Sequence, residues 1–353
     1  MAKSENQPAR LADVAASCGV TMTAVSAVLR GNGLGSGNVR VASDTADRIR
    51  RVAQELGYRP NVAARVLKGQ PNNVLGVLIG ADSTPANYER LSALEQEAYH
   101  RGFRLMIGQF RGGSDRTHEY AQDFLLRGID CLMCFENPTP QYDQRVLKVL
   151  TQYRRVVFQT QRLIEGAYCV DVDRADGVRQ AVTHLVQRDR QRIGLLLNDR
   201  PENDPLMGDR WRGYLAGLQD AGMSADPHRI WTGTGMFPPP PEMCDRAVEA
   251  LVGRGGCDAV ICSNDVWAIC FIKSLRRSGR NASCELPGIG VIGFDNLDAA
   301  ELFDPPLTTI DQNNAAFAKA AMDLLLSQTN GPGDNARAMS RIVPPKLVVR
   351  ESA

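Results

Sequence analysis

Several features are missing from this sequence of 353 residues, and each absence removes a class of protein. No apolar run approaches the ~18 residues that a membrane-spanning helix needs, so we do not expect a membrane protein. The start, Met1–Arg10, is polar and lacks the apolar segment of a secretory signal, which favours the cytoplasm. The length predicts two or three domains with an ample core.

The sequence also lacks the residue patterns of common enzymes and metal sites. It has no G-x-S-x-G nucleophile elbow, no P-loop, and no metal-ligand spacing among its four histidines. Nine cysteines are scattered through apolar segments, and the Cys-x-x-Cys pair Cys131 and Cys134 has no second pair at metal spacing. We expect buried reduced thiols there, with a redox or metal pair as the alternative. No catalytic residue, metal or cofactor is predicted.

What is present is an uneven distribution of charge. Residues 1–70 hold ten Lys and Arg against five Asp and Glu, a charge of +5, whereas the remaining residues carry −4, in agreement with the total of +1. A small basic module therefore precedes a large acidic one. Phosphate backbones attract such a module, although a solvated helical surface would have the same composition.

Apolar spacing in the basic module predicts two short helices with a glycine turn. Leu11, Val14, Ala15 and Cys18 share one helical face, and Gly19 follows where a helix often ends in a left-handed residue. Thr21 then provides an N-cap for a second helix. This arrangement is typical of a helix-turn-helix, whose second helix enters the DNA major groove. A third helix is predicted up to Gly57, and a short linker helix over residues 62–69.

Segments along the whole chain resemble one family. They include DVAASCGVTMTAVSAVLRG, RIRRVAQELGYRPNVAARVLKG, CSNDVWAI, GVIGFDN and PPKLVVRES. In this order they resemble the lactose-repressor/galactose-repressor (LacI/GalR) family of transcription regulators. The resemblance implies a homodimer on double-stranded operator DNA, in which paired linker helices enter the minor groove and Leu67 wedges between base pairs. Ala27 stands where the family usually has an Arg, so no relative's operator sequence can be transferred.

The helix positions and the resemblance together predict the DNA contacts. Thr21, Met22 and Thr23, at the start of the second helix, are expected to read base edges. The complete predicted set of DNA-binding residues is Thr21, Met22, Thr23, Ser26, Ala27, Arg30, Tyr58, Asn61, Ala64 and Leu67.

The remainder of the chain alternates short apolar runs with amphipathic helices, which predicts doubly wound parallel sheets. The predicted strands are residues 74–79, 104–109, 131–135, 155–158, 192–197, 259–262 and 290–294. The predicted fold is therefore an all-α helix-turn-helix head plus an α/β core. The family resemblance implies that the core has two doubly wound parallel-sheet lobes, like those of periplasmic sugar-binding proteins, which close on a ligand.

Ligands of parallel sheets bind beyond the carboxyl ends of the strands. Asn264 and Asp295 follow two predicted strands, and Arg210 and Phe237 match ligand-contacting positions of the family. A cation, a carboxylate and an aromatic face suit a small polyhydroxylated molecule, with a carbohydrate as the family-based expectation and a purine as the alternative. Each residue has a structural alternative: Arg210 pairing with a neighbouring carboxylate such as Asp209, a core Phe237, or a carboxylate that caps a turn.

Two patterns in the core are better explained by structure than by function. The glycines of residues 288–293 satisfy G-x-G-x-x-G but lie within a predicted strand, so no dinucleotide site is expected. The prolines Pro238–Pro241 more simply stiffen a loop than form a polyproline ligand.

The sequence thus predicts a cytoplasmic, homodimeric repressor controlled by a small-molecule effector. The predicted domains are a head of residues 1–57, a hinge helix and linker of 58–72, and a core of 73–353. Within the core, we expect one lobe from about 73–162 plus 312–335 and a second from 163–311 plus 336–353. A stand-alone small-molecule-binding protein and an α/β enzyme are the alternatives; salt-dependent DNA binding and substrate turnover would discriminate between them.

Overall fold

A computed structural model of the chain describes residues 9–29, 41–58, 72–81, 83–111, 114–135, 144–160, 164, 167–327 and 340–353. It divides the chain into two units, Met1–Asn72 and Asn73–Ala353. The predicted linker helix, residues 62–69, lies outside the described residues.

In the described residues of the first unit, three helices surround a small apolar core. They are α1 (Leu11–Cys18), α2 (Met22–Leu29) and α3 (Ser43–Glu55). Gly19 has a φ of 58°, so it provides the left-handed residue that ends α1, as expected. The bend of 107° between α1 and α2 falls in the range of about 90–120° found in helix-turn-helix pairs.

In its described residues, the second unit forms two parallel sheets and one antiparallel pair of strands. The strands are β1 (Val74–Gly80), β2 (Arg104–Phe110), β3 (Cys131–Cys134), β4 (Arg155–Gln159), β5 (Tyr168–Val172), β6 (Ile193–Leu197), β7 (Ile230–Thr232), β8 (Ala259–Cys262), β9 (Gly290–Ile292), β10 (Thr309–Asp311), β11 (Ser340–Val343) and β12 (Lys346–Val348). The first sheet has the order β11-β5-β4-β3-β1-β2 and the second the order β7-β6-β8-β9, while β10 and β12 form the antiparallel pair. In each parallel sheet, later strands lie on both sides of the first strand, which confirms the predicted doubly wound lobes.

Helices cover both faces of these sheets. Those of the second unit are α4 (Pro85–His100), α5 (Ser114–Leu126), α6 (Gln144–Leu150), α7 (Arg174–Gln187), α8 (Pro205–Asp220), α9 (Pro241–Val248), α10 (Asp265–Arg277), α11 (Asp298–Leu302) and α12 (Asn314–Leu326). Among the described residues, no single helix is long and apolar enough to cross a membrane; α1 and α2 pass that test by length and composition only as a bent pair.

The sheet pairing corrects the predicted lobe boundaries. β5 pairs with β4, and β11 pairs with β5, so both strands belong to the first sheet. The predicted boundaries placed both β5 and β11 in the second lobe. β5 was not recognised because Asp171 interrupts a short apolar run, and β11 was not recognised because it is an edge strand with exposed residues. The chain therefore passes to the second lobe only after Val172.

The Cys-x-x-Cys pair lies on β3, and its two side chains enter different apolar clusters. Cys131 packs with Val77 and Val157, whereas Cys134 packs with Leu78 and Phe158. Residues three apart on a strand point to opposite faces of the sheet, so these two sulfur atoms face away from each other. This geometry agrees with the structural interpretation of the pair.

Candidate functional site

The exposed start of α2 offers a recognition surface in the first unit. Thr21, Met22 and Thr23 are all exposed, Met22 by 54%. The Thr21 hydroxyl accepts a hydrogen bond from the backbone N–H of Ala24 (3.2 Å), so it caps the helix as predicted. The buried Val25 fixes which face of α2 turns inward. The exposed side chains are therefore free to meet a partner surface.

The other predicted DNA-contacting residues are less accessible or are not described. Ser26 and Ala27 are half-buried. Tyr58 is also half-buried, because its side chain packs against the apolar core of the head. Four predicted residues lie outside the described part of the chain: Arg30, Asn61, Ala64 and Leu67.

In the second unit, polar side chains collect where the strands of the second sheet end. Asn198 follows β6, Ser263 and Asn264 follow β8, and Asp295 follows β9. All four strands of this sheet run parallel, so these residues share one edge. This edge, with Arg210 of α8, is called the effector edge below.

Asp295 is the carboxylate of the effector edge. It is only 7% exposed, and its Oδ1 accepts a hydrogen bond of 2.6 Å from Gln312 Nε2. Burial raises the pKa of Asp295 to about 6, although the nearby Arg210 and Arg90 oppose this shift. Its φ of 117° is unusual for a residue other than glycine. A buried, charged group in such a conformation is typical of a functional position.

Arg210 is the cation of the effector edge and is 5% exposed. Its guanidinium lies 4.3 Å from the ring centre of Phe294, and its Nη1 donates to the Leu206 carbonyl of the same helix (3.0 Å). Burial lowers its pKa to about 10, so it stays charged at neutral pH. Asp209, the alternative partner considered from sequence, is hydrogen-bonded to Arg212 instead. Arg210 is thus a buried cation held mainly by its own helix and an aromatic ring.

Several buried polar atoms around this edge have no hydrogen-bond partner among the described residues. They are Asn198 Oδ1, Ser263 Oγ, Trp267 Nε1 and Arg210 Nε. Unpaired buried polar atoms are rare because each costs about 1–3 kcal/mol. A polar ligand at this edge would satisfy them.

Asn264 and Phe237, the two remaining predicted ligand residues, differ from each other in their contacts. Asn264 Oδ1 accepts from the backbone N–H of Trp267 (2.9 Å), so this oxygen caps α10. Asp265 is fully buried and accepts from Leu297 N (2.8 Å) and Thr309 Oγ1 (2.5 Å), which makes it a structural residue. Phe237 is 36% exposed on the loop before α9, so it is not a core residue.

Comparison with known proteins identifies the family. The model of bacterial regulatory proteins of the lacI family matches residues 10–61, and the model of a periplasmic binding protein-like domain matches residues 182–353. The chain is 25% identical over 350 residues to the HTH-type transcriptional repressor PurR of Haemophilus influenzae (strain PittEE), covering 98% of both chains. The chain belongs to the lacI family of bacterial regulatory proteins.

Solved structures confirm the fold of this lacI-family chain. The lac repressor dimer bound to operator and the anti-inducer ONPF has a TM-score of 0.77 and 22% identity, with 98% of this chain and 99% of that chain covered. The transcriptional regulator CelR in complex with cellobiose has a TM-score of 0.65 and 23% identity, with 98% and 100% covered. The predicted family, fold class and role as a DNA-binding transcription regulator are confirmed.

A buried arginine that was not predicted from the sequence supports the effector edge of this lacI-family core. Arg90, on α4, is 1% exposed and donates to Gln159 Oε1 (2.7 Å) and Gln312 Oε1 (2.8 Å). Gln312 in turn donates to Asp295, so Arg90 is connected to the effector edge through one side chain. A sequence signal existed: Ala86, Arg90, Leu94 and Ala98 follow at steps of four residues along the buried face of α4.

Glu89, next to Arg90, was also missed. It is half-buried and lies near Asp298 and Asp295, which follow β9 in the other lobe. Burial and then these two carboxylates raise the pKa of Glu89 to about 7. The lobes therefore meet at a cluster of acidic groups beside the effector edge. In the part of the chain that the structure describes, no group of three or more His, Cys, Asp or Glu side chains could hold a metal ion.

Proposed function

We propose that the chain is an operator-binding repressor whose DNA affinity is set by a small polyhydroxylated effector, a carbohydrate or a derivative, held at the effector edge. The observation that carries this proposal is the burial of both Arg210 and Asp295 among polar atoms that have no hydrogen-bond partner in the described part of the chain. Such atoms are stabilised when a ligand supplies donors and acceptors.

The chemistry of the edge fits hydroxyl groups. The Asp295 carboxylate can accept from two neighbouring hydroxyls, the Arg210 guanidinium can donate to their oxygens, and Ser263 can do either. Phe237, exposed on its loop, would stack on the apolar face of a sugar ring. The CelR relative, whose structure contains cellobiose, has the same fold.

For the DNA-binding part, we propose that Thr21, Met22 and Thr23 contact base edges as a head of residues 1–57. Residues 58–72 would act as hinge and linker to the core of residues 73–353. A homodimer would present two heads to a near-palindromic site, as the dimeric form of the lac repressor structure suggests. Since the proposed partner is operator DNA, we place the protein in the cytoplasm and assign it no enzymatic reaction.

Linkage constrains how the two sites communicate. If effector changes the operator affinity by a given factor, operator must change the effector affinity by the same factor. This reciprocity holds for induction and for corepression, so binding data for one site predict the other.

The effector site is tested by a thermal-shift screen of sugars, sugar phosphates and purines on the full chain. A ligand at 100 times its dissociation constant stabilises the folded state by about 2.7 kcal/mol. Arg210→Ala should weaken binding by about tenfold to hundredfold, because a charged hydrogen bond contributes about 1.5–3 kcal/mol. Arg212→Ala, two residues further along the same helix and exposed, is the matched control. Equal affinity of wild type and Arg210→Ala would contradict the site.

The head is tested by fluorescence anisotropy with operator fragments selected from random DNA. Thr23→Ala should lose about fivefold to hundredfold in affinity for the selected site, because one base contact contributes about 1–3 kcal/mol. Gln54→Ala, exposed on α3, is the control and should bind as wild type does. Effector binding without any salt-dependent DNA binding would instead indicate a stand-alone binding protein, and turnover of the effector would indicate an enzyme.

A further inference from the structure

Two cysteines from neighbouring helices of the second lobe meet away from the effector edge. Cys244 lies on α9 and is fully buried, whereas Cys270 lies on α10 and is partly exposed. Both side chains pack in one apolar cluster, and each thiol is within hydrogen-bonding reach of the other. Cys270 is therefore the more accessible thiol of the pair, and Cys244 is the buried one.

Positive charges surround the accessible thiol. Lys273 and Arg277 follow Cys270 by three and seven residues on α10, so they share its helix face. Arg277 Nη2 is held in place by Asp245 Oδ1 (2.6 Å) and Ser274 Oγ (2.7 Å). The hydrogen bond from Cys244, with these cations, lowers the pKa of Cys270 to about 7, while the same contact raises the pKa of Cys244. Cys270, the more exposed thiol and the one beside two cations, is thus the member of the pair that ionises more readily.

We propose that Cys270 and Cys244 form a dithiol that hydroperoxides oxidise to an intramolecular disulfide. The proposal depends on the contact between the two sulfur atoms, their unequal exposure, and the cations beside Cys270. It is independent of the effector and of DNA.

The reaction balances in two steps. The Cys270 thiolate attacks the outer oxygen of the hydroperoxide; the O–O bond breaks, Cys270 becomes a sulfenic acid, and the leaving alkoxide or hydroxide takes a proton to depart as an alcohol or water. The Cys244 thiol then attacks the Cys270 sulfur, which forms the S–S bond and releases a second water that carries the Cys244 proton. Two thiols are oxidised and one hydroperoxide is reduced.

The other cysteines of the chain provide internal controls. Cys284 is the second partly exposed cysteine, and the remaining six besides the proposed pair are buried. At pH 7 a thiol with a pKa near 7 has roughly 15-fold more thiolate than an ordinary cysteine. The lower nucleophilicity of such a thiolate cancels about fivefold of this gain. We therefore expect Cys270 to react roughly threefold faster than a cysteine of ordinary pKa.

The test is treatment of the full chain with hydrogen peroxide, followed by alkylation and peptide mapping without reduction. The expected product is a cross-linked pair of peptides containing Cys244 and Cys270 that dithiothreitol separates. Cys244→Ala should instead accumulate a sulfenic acid at Cys270 that dimedone traps, and Cys270→Ala should give neither product. Cys284→Ala should form the disulfide as wild type does.

Three results would overturn the proposal. They are a wild-type map without the cross-link, Cys270 oxidation no faster than that of a cysteine of ordinary pKa, or a disulfide that joins two chains. The wild-type map decides the question even if a substitution at the buried Cys244 prevents folding.

Discussion

Replacing Arg90 by methionine removes a buried cation from the centre of the core. The guanidinium donates to Gln159, Gln312 and Asn314, and it lies 4.4 Å from the ring centre of Phe317. Burial lowers the pKa of Arg90 to about 9, so it is still charged at neutral pH. Methionine would keep much of the apolar contact with Phe317 but none of the hydrogen bonds.

The magnitude follows from the acceptors that are left behind. Each buried acceptor without a donor costs about 1–3 kcal/mol, so two such acceptors cost about 2–6 kcal/mol. The two glutamine acceptors are buried, whereas the contact with Asn314 is only partly buried, so we expect Arg90→Met to destabilise the core by about 3–5 kcal/mol, near the middle of this range. For a unit of this size that is a fall in melting temperature of roughly 10 °C.

The assay is differential scanning calorimetry of the full chain, with the transition of the core followed separately from that of the head. Arg127→Met is the matched control, because Arg127 forms an exposed ion pair with Asp123 (2.7 Å) and its loss should leave the melting temperature unchanged. A core transition of Arg90→Met within error of the wild type would refute the reasoning. So would equal shifts in both variants.

Two further predictions concern the second unit. A Cβ at Gly213 would clash with the Ala175 carbonyl oxygen, so Gly213→Ala should lower the melting temperature of the core through a loss of more than about 2 kcal/mol in stability. Gly208→Ala on the same helix is the control: the nearest contact of its Cβ would be 3.6 Å, so this variant should be neutral or stabilising. The pKa of Glu89 is raised in the folded state, so the free energy of unfolding should fall as the pH rises from 4.5, the usual pKa of a glutamate, towards about 7. Melting temperatures at pH 5.5 and 8 should therefore differ less in Glu89→Gln than in wild type, while the exposed Glu95→Gln should follow wild type; identical pH profiles for all three proteins would contradict the acidic contact.

Features set by short-range spacing could be predicted. Residues Leu11–Cys18 form α1 because their apolar side chains recur at helical intervals, and Gly19 ends that helix with its positive φ. The strand of Ala259–Cys262 was predicted residue for residue, since a short continuous apolar run between loops is typical of a buried parallel strand. The placement of Asp295 beyond a strand end also followed from this pattern.

Features that depend on distant partners could not be predicted. β11 forms only because its residues pair with β5, far earlier in the chain, and nothing local distinguishes it from a loop. Asp265 and Asp295 both follow strands of one sheet. Asp265 accepts hydrogen bonds from Thr309 and Leu297, whereas Asp295 accepts one from Gln312. Sequence spacing cannot separate two such carboxylates, because their difference lies in side chains contributed by another crossing of the chain.

The sequence by itself determined the basic helix-turn-helix head, the doubly wound core and the edge where a ligand would bind, since helical and strand periodicities are local properties. The tertiary structure alone decided that Arg90 is buried against residues 222 positions away and that Cys270 meets Cys244. The physical reason is that burial, hydrogen bonding and pKa depend on which groups surround a side chain in space, and neighbours in the chain supply only part of those surroundings.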